Sequence, residues 1–198
     1  MLETVTAIVG YFLQFKYIVL FVSIFFTASF VPVSSELLIV SAGVLVASGE
    51  ANFLLMFIVS LVANILGDVF GYITMRFFGN KYGRGLEGKS KTFHSIGTYL
   101  RKRPIVTTML SRFLGFGAGQ VNFLAGLTRT PIRLFLLGDV IGNTICVGIY
   151  LITGYLAERS EYSVTTIAAI IAGVLLFFVL LSFIVGLYIQ RKAQAQEI

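Results

Sequence analysis

The stretch "SRFLGFGAGQVNFLAGLTRTP", residues 111–131, decides how this chain folds. It is apolar enough for lipid, yet it holds Arg112 beside glycines 115, 117 and 119 and contains no acid to balance the charge. The guanidinium either faces water or meets a carboxylate from elsewhere inside a membrane. Composition favours the membrane: of 198 residues, 57% are hydrophobic and 12% charged, with a mean hydropathy of +0.92, outside the range of soluble domains.

Two uncharged runs are near or above the roughly 20 residues that cross hydrocarbon as a helix: 29 residues between Glu161 and Arg191, and 19 between Lys16 and Glu36. The chain therefore reads as an all-α polytopic membrane protein. The start, "MLETVTAIVG", has Glu3 where a cleaved leader would have a basic region, so no signal peptide is expected. The one cysteine, Cys146, sits in an apolar run and has no partner in its chain for a disulfide.

Net charge is +6, and residues 79–104 account for all of it: Lys81, Arg84, Lys89, Lys91, Arg101, Lys102 and Arg103 against Glu87. Between spans, such a loop marks the cytoplasmic side rather than a nucleic-acid site. Spans are then expected at 14–31, 51–78, 131–157 and 162–190, with both termini in the cytoplasm. Within the basic loop, Phe93, Ile96, Tyr99 and Leu100 recur at helical spacing, as in an amphipathic surface helix over 88–103.

Segments 32–49 and 105–127 do not fit this count. Both are apolar and glycine-bearing, each carries one charge, and either would reverse the topology by crossing. Re-entrant hairpins resolve this, because broken helix survives at membrane depth only where protein or a wet cavity covers it. The two enter from opposite faces, and each precedes a long helix, the pattern of an inverted repeat. The halves share little else besides an Ala-Gly pair, at 42–43 and 125–126.

Two long segments carry matched polar residues: Asn64 and Asp68 in the second span, Asp139 and Asn143 in the third, each pair four apart and so on one helical face. Gly67 with Gly71 and Gly138 with Gly142 would let backbones approach closely. An unpaired charge at the bilayer centre costs about 2.5–3.5 kcal/mol by insertion scales, so Asp68 or Asp139 is the expected partner of Arg112. Glu36, on the first hairpin, has no evident cation near it in sequence. Arg76, Arg129 and Arg133 sit at the cytoplasmic boundary, where they orient the chain or contact headgroups.

These residues resemble the DedA family of membrane proteins, also described by its VTT or SNARE-associated domain. The likeness runs from about residue 30 to 157 through "PVSSELLIVSAG", "GDVFGYITMRFFG", "SRF" and "LAGLTRTPIRLFLLGDVIGN". It places the family's hairpin acid on Glu36, with Ala42 and Gly43 following. The family's helix motif falls on Gly67, Asp68, Tyr72, Arg76 and Gly79, and its second-hairpin signature on Ser111, Arg112 and Phe113. Ala125, Gly126, Arg129 and Pro131 match the downstream positions. The chain departs from the pattern at Met75, where glycine is usual, at Gly115 in place of proline, at Ala118 in place of a second arginine, and at Ile24 in place of a glutamate found in some members.

The resemblance implies two facing hairpins and transport, as flippase or scramblase, of undecaprenyl phosphate or a phospholipid between leaflets of the plasma membrane, in the family often driven by the proton motive force. Glu36, Asp68, Arg112, Arg129 and Asp139 are the expected transport residues. Asn64, Gly115, Gly117, Gly126 and Asn143 are their supports. No cofactor, metal or nucleic acid is expected; membrane lipids and protons are the expected partners, and small-residue faces permit a homo-oligomer. A proton-coupled cation antiporter is the alternative. An enzyme is disfavoured because the only histidine, His94, stands on the basic loop without a nucleophile or metal constellation. A scaffold would need larger partner-binding loops.

Overall fold

The computed structural model describes residues 15–29, 35–82, 91–113, 118–159 and Gly173. The features expected at 1–13 and 162–190 lie outside these, as do Gly115 and Gly117. Seven helices make up the described chain: α1 Lys16–Ser29, α2 Ser35–Ala47, α3 Phe53–Tyr82, α4 Lys91–Lys102, α5 Pro104–Ser111, α6 Ala118–Leu127 and α7 Ile132–Arg159. Among the described residues there is no strand.

α3 and α7 form the centre. Their 30 and 28 residues reach about 45 and 42 Å at ~1.5 Å per residue, and both are long and apolar enough to cross a membrane. They fall on the segments expected at 51–78 and 131–157. Their outer faces show why lipid is the right surroundings: Leu54, Ile58, Val62, Leu66, Ile73 and Phe77 on α3, and Leu137, Ile141, Ile145, Ile149, Ile152 and Leu156 on α7, are all exposed. A soluble helix would carry charge on that stripe. The two helices run antiparallel. Phe53 meets Tyr155 edge to face, Phe57 lies beside Gly148, and Asp68 bonds Asn143.

Two helical hairpins flank this pair. α1 starts beside the chain that leads into α3: Lys16 Nζ donates to the Glu50 carbonyl, and Tyr17 Oη accepts from Asn52 N–H at 3.1 Å. It ends at Ser29, beside Gly67. α2 begins level with Asn64, which accepts from Ser35 Oγ at 3.4 Å, and returns toward the start of α3. The first hairpin is therefore α1 and α2 together. Of the segments expected at 14–31 and 32–49, the described residues hold α1, 14 residues and about 21 Å long, and α2, 13 residues long.

In the segment expected at 105–127 lie α5 and α6, which form the second hairpin. Pro104 opens α5 at its first turn, where its missing N–H costs nothing. α5 lies along α7, with Ile105 against Gly138 and Arg112 against Gly142, and α6 lies along α3, with Asn122 against Gly71 and Gly126 against Tyr72.

The packing repeats across the two halves. α1 packs on α3 as α5 packs on α7, and α2 packs on α7 as α6 packs on α3. The shared Ala-Gly pairs are where the hairpins seat. A Cβ on Gly43 would collide with the Leu151 carbonyl, one on Gly154 with the Val40 carbonyl, and one on Gly126 with the Tyr72 carbonyl. Only a hydrogen in those places lets the backbones touch. α4 lies across α5 and α6. Leu100 is buried, Ile96 packs against the same core, and Arg101 and Lys102 are exposed at the carbonyl end, which favours cations.

Candidate functional site

Arg112 caps α5 in helical geometry, φ −66° and ψ −26°, at the inner tip of the second hairpin. Gly142 makes room for it: a Cβ there would stand 2.6 Å from Arg112 Cγ. The guanidinium is almost wholly shielded, its side chain 3% exposed. It answers the question raised by its sequence setting by pairing with both carboxylates. Nη1 lies 3.0 Å from Asp68 Oδ1 on α3, and Nη2 lies 2.8 Å from Asp139 Oδ1 on α7.

Two amides complete the cluster. Asn122, on α6, accepts from Arg112 Nη2 through Oδ1 and donates from Nδ2 to Asp68 Oδ1 at 2.6 Å. Asn143 donates to Asp68 Oδ2 and to Asp139 Oδ1, both at 3.0 Å. Three carboxylate oxygens thus receive donors. Among the described residues, Asp139 Oδ2 finds no donor and Arg112 Nε–H no acceptor. With both carboxylates ionised, one cation faces two anions, and low local dielectric makes every pairing strong and every orphan costly.

The expected residues divide accordingly. Asp68, Arg112, Asp139 and Asn143 meet. Asn64, also buried, does not join them: one turn before Asp68, its Nδ2 donates to the Ser60 carbonyl at 3.1 Å. Glu36 is half-buried in the first turn of α2, where the helix dipole favours an acid. It lies within electrostatic reach of Tyr150 and Cys146 on α7, and Cys146 is in turn within reach of Arg112. Phe113, next to Arg112, packs against the core holding Ile24, Ile39 and Val147. The start of α2 and the end of α5 therefore approach one stretch of α7. Gly126 seats α6, and Arg129 stands apart, exposed in the turn after α6.

Asn122 escaped the sequence reading. Its signal was available as the one amide inside the apolar run "VNFLAGL", but nothing in sequence says that its face of α6 turns toward Asp68. Also unforeseen is the Tyr72 hydroxyl, which donates to the Thr130 carbonyl at 2.5 Å and accepts from Arg76 Nη1. Among the described residues, no three His, Cys, Asp or Glu side chains gather to hold a metal.

A chain whose described helices show lipid-like faces outward and bury a cation between two carboxylates is a membrane protein with a charged interior site. The sequence profile of the VTT domain matches residues 31–156, and the chain belongs to this family, the DedA family. It is similar to an inner membrane protein of Borreliella burgdorferi, 21% identical over 82% of this chain and 79% of that one. It is also similar to undecaprenyl phosphate transporter A of Staphylococcus aureus, 23% identical over 67% of this chain and 69% of that one. No solved structure matches.

Proposed function

We propose that this protein carries a phosphate-bearing lipid, undecaprenyl phosphate or a phospholipid, between the leaflets of the plasma membrane, and that Arg112 holds the headgroup. The carrying observation is a buried guanidinium at a hairpin tip, held by side chains from α3, α6 and α7. A planar fork of donors suits phosphate as well as carboxylate. Asp68 and Asp139 occupy those donors in this closed arrangement, so an arriving phosphate competes with them, and a proton taken up by either acid weakens its hold on Arg112. Burial of the cluster means that loading requires the second hairpin to shift against α3 and α7.

With residues 79–104 cytoplasmic, the second hairpin re-enters from the cytoplasmic side and the first from outside, as in inverted-repeat transporters. Lys16 then stands at the outer end, because α1 re-enters instead of crossing. The transport site is Glu36, Asp68, Arg112 and Asp139, with Asn122 and Asn143 positioning the charges. The name of the Staphylococcus aureus relative supports the substrate class. A cation antiporter would want its acids open to cations, whereas Arg112 already fills the pocket between these two.

Liposomes loaded with undecaprenyl phosphate test the reading. Arg112→Lys keeps the charge and loses the fork, and headgroup translocation should fall at least about tenfold. An unchanged rate would remove Arg112 from the transport path. Proton release into a pH-sensitive dye on cation pulses, without lipid movement, would favour the antiporter.

A further inference from the structure

Three exposed arginines surround the turn by which the second hairpin leaves the bundle: Arg76 on α3, Arg129 between α6 and α7, and Arg133 in the first turn of α7. α6 ends in a paired cap, with Arg129 N–H donating to the Gly126 carbonyl at 3.1 Å and Thr130 N–H to the Ala125 carbonyl at 3.0 Å. The residue closing such a cap takes a left-handed backbone and is usually glycine. Here it is Arg129, at φ 55°, the one non-glycine residue with positive φ among those described. Its Cβ is strained there.

Arg133 is also placed against local preference, because the start of a helix repels cations and attracts anions. Among the described residues of α3 after Asp68, of α6, and of α7 before Asp139, none is Asp or Glu. The turn is nevertheless held firmly. Tyr72, fully buried and stacked on Phe135 at 4.8 Å, donates to the Thr130 carbonyl, and Arg76 Nη1 reaches both that carbonyl, at 3.4 Å, and the Tyr72 hydroxyl. A membrane-orientation signal needs basic residues near the boundary, but it does not need one in a glycine position of a fixed turn. A bound anion accounts for both placements.

We infer that Arg76, Arg129 and Arg133 form a docking site for a phosphate group, and that this is where a lipid headgroup waits before it reaches Arg112. The second half rests on the transport role proposed above. Asn122, which touches Arg112, precedes Arg129 by seven residues on the same arm, about 10 Å along the helix. One short transfer would join the two sites.

The decisive variant is Arg129→Gly, which relieves the backbone while deleting the guanidinium. The full chain in detergent is titrated calorimetrically with dodecyl phosphate, inorganic phosphate and dodecylphosphocholine. Arg129→Gly should melt about 2–4 °C higher and yet bind dodecyl phosphate about tenfold more weakly, with Arg129→Gly/Arg133→Gln weaker still. Dodecyl phosphate binding well above inorganic phosphate assigns a lipid headgroup. Equal binding of the two, lost together in the variant, keeps the anion site and assigns a soluble phosphate. Affinity of Arg129→Gly within twofold of the native chain for every probe overturns the site. The same titration on Arg112→Lys separates the two proposals, since docking at the turn should persist there even if transport turns out not to need Arg112.

Discussion

The two hairpins are built alike and filled differently. Each rests an Ala-Gly pair directly on a long helix, Ala42-Gly43 on α7 and Ala125-Gly126 on α3. Around the first seat the buried side chains are Ile39, Val40, Cys146, Val147 and Leu151, and around the second they are Val121, Leu124 and Tyr72. The tips part company. The first presents Ser35 and Glu36, while the second holds Arg112 and Asn122 in a closed ionic network with Asp68 and Asp139. Backbone packing repeats because small residues solve the same close-approach problem twice. Charge does not repeat, because one buried cation already uses the carboxylates of both long helices.

The sharpest way to break the comparison is to remove that cation. Arg112→Met leaves Asp68 and Asp139 buried against each other and should cost about 3–5 kcal/mol of stability, read as loss of the folded fraction in detergent melts. The triple variant Arg112→Met/Asp68→Asn/Asp139→Asn should regain most of that stability and none of the lipid transport. If the triple variant transports at the native rate, the network is merely structural, and the second hairpin differs from the first only in its packing.

The seats should behave alike where the tips do not. Gly43→Ala and Gly126→Ala each drive a methyl into a carbonyl of the facing helix, and overpacking of this kind costs about 1–3 kcal/mol. Equal losses in thermal unfolding would confirm that the two halves share one mode of seating. A loss at only one would restrict the repeat to the outline of the fold.

Much of this was readable from residue types and spacing. The polar face of α3 and α7 followed from the four-residue step between Asn and Asp, and the need of Arg112 for a carboxylate followed from its lipid-compatible surroundings. That Arg112 takes both acids was not readable, since it depends on how far apart α3 and α7 stand. That α1 pairs with α2 along α3 was not readable either, since an uncharged run of 19 residues after Lys16 does not say which helix it lies beside. The contacts of Lys16 and Tyr17 with the chain at 50–52 place the start of α1 beside the start of α3. Asn64 was paired with Asn143 by symmetry of spacing, yet Asn143 joins the ionic cluster and Asn64 bonds back to its own helix.

That last difference gives the smallest effect and a fine test of which residues belong to the site. Asn143 donates to two carboxylates on two helices, so Asn143→Leu strips donors from both and should cost about 1–2 kcal/mol, near the upper end for interhelical hydrogen bonds in membranes. Among the described residues, Asn64 donates to the Ser60 carbonyl, four residues back in its own helix, and its contact with Ser35 is long at 3.4 Å. A carbonyl at that position already has a backbone donor in the helix, so Asn64→Leu should change stability by no more than about 0.5 kcal/mol. Measured side by side, a larger loss at Asn64 would mean that the first hairpin draws its hold from a polar contact rather than from its glycine seat, and the contrast between the two tips would have to be redrawn around Ser35.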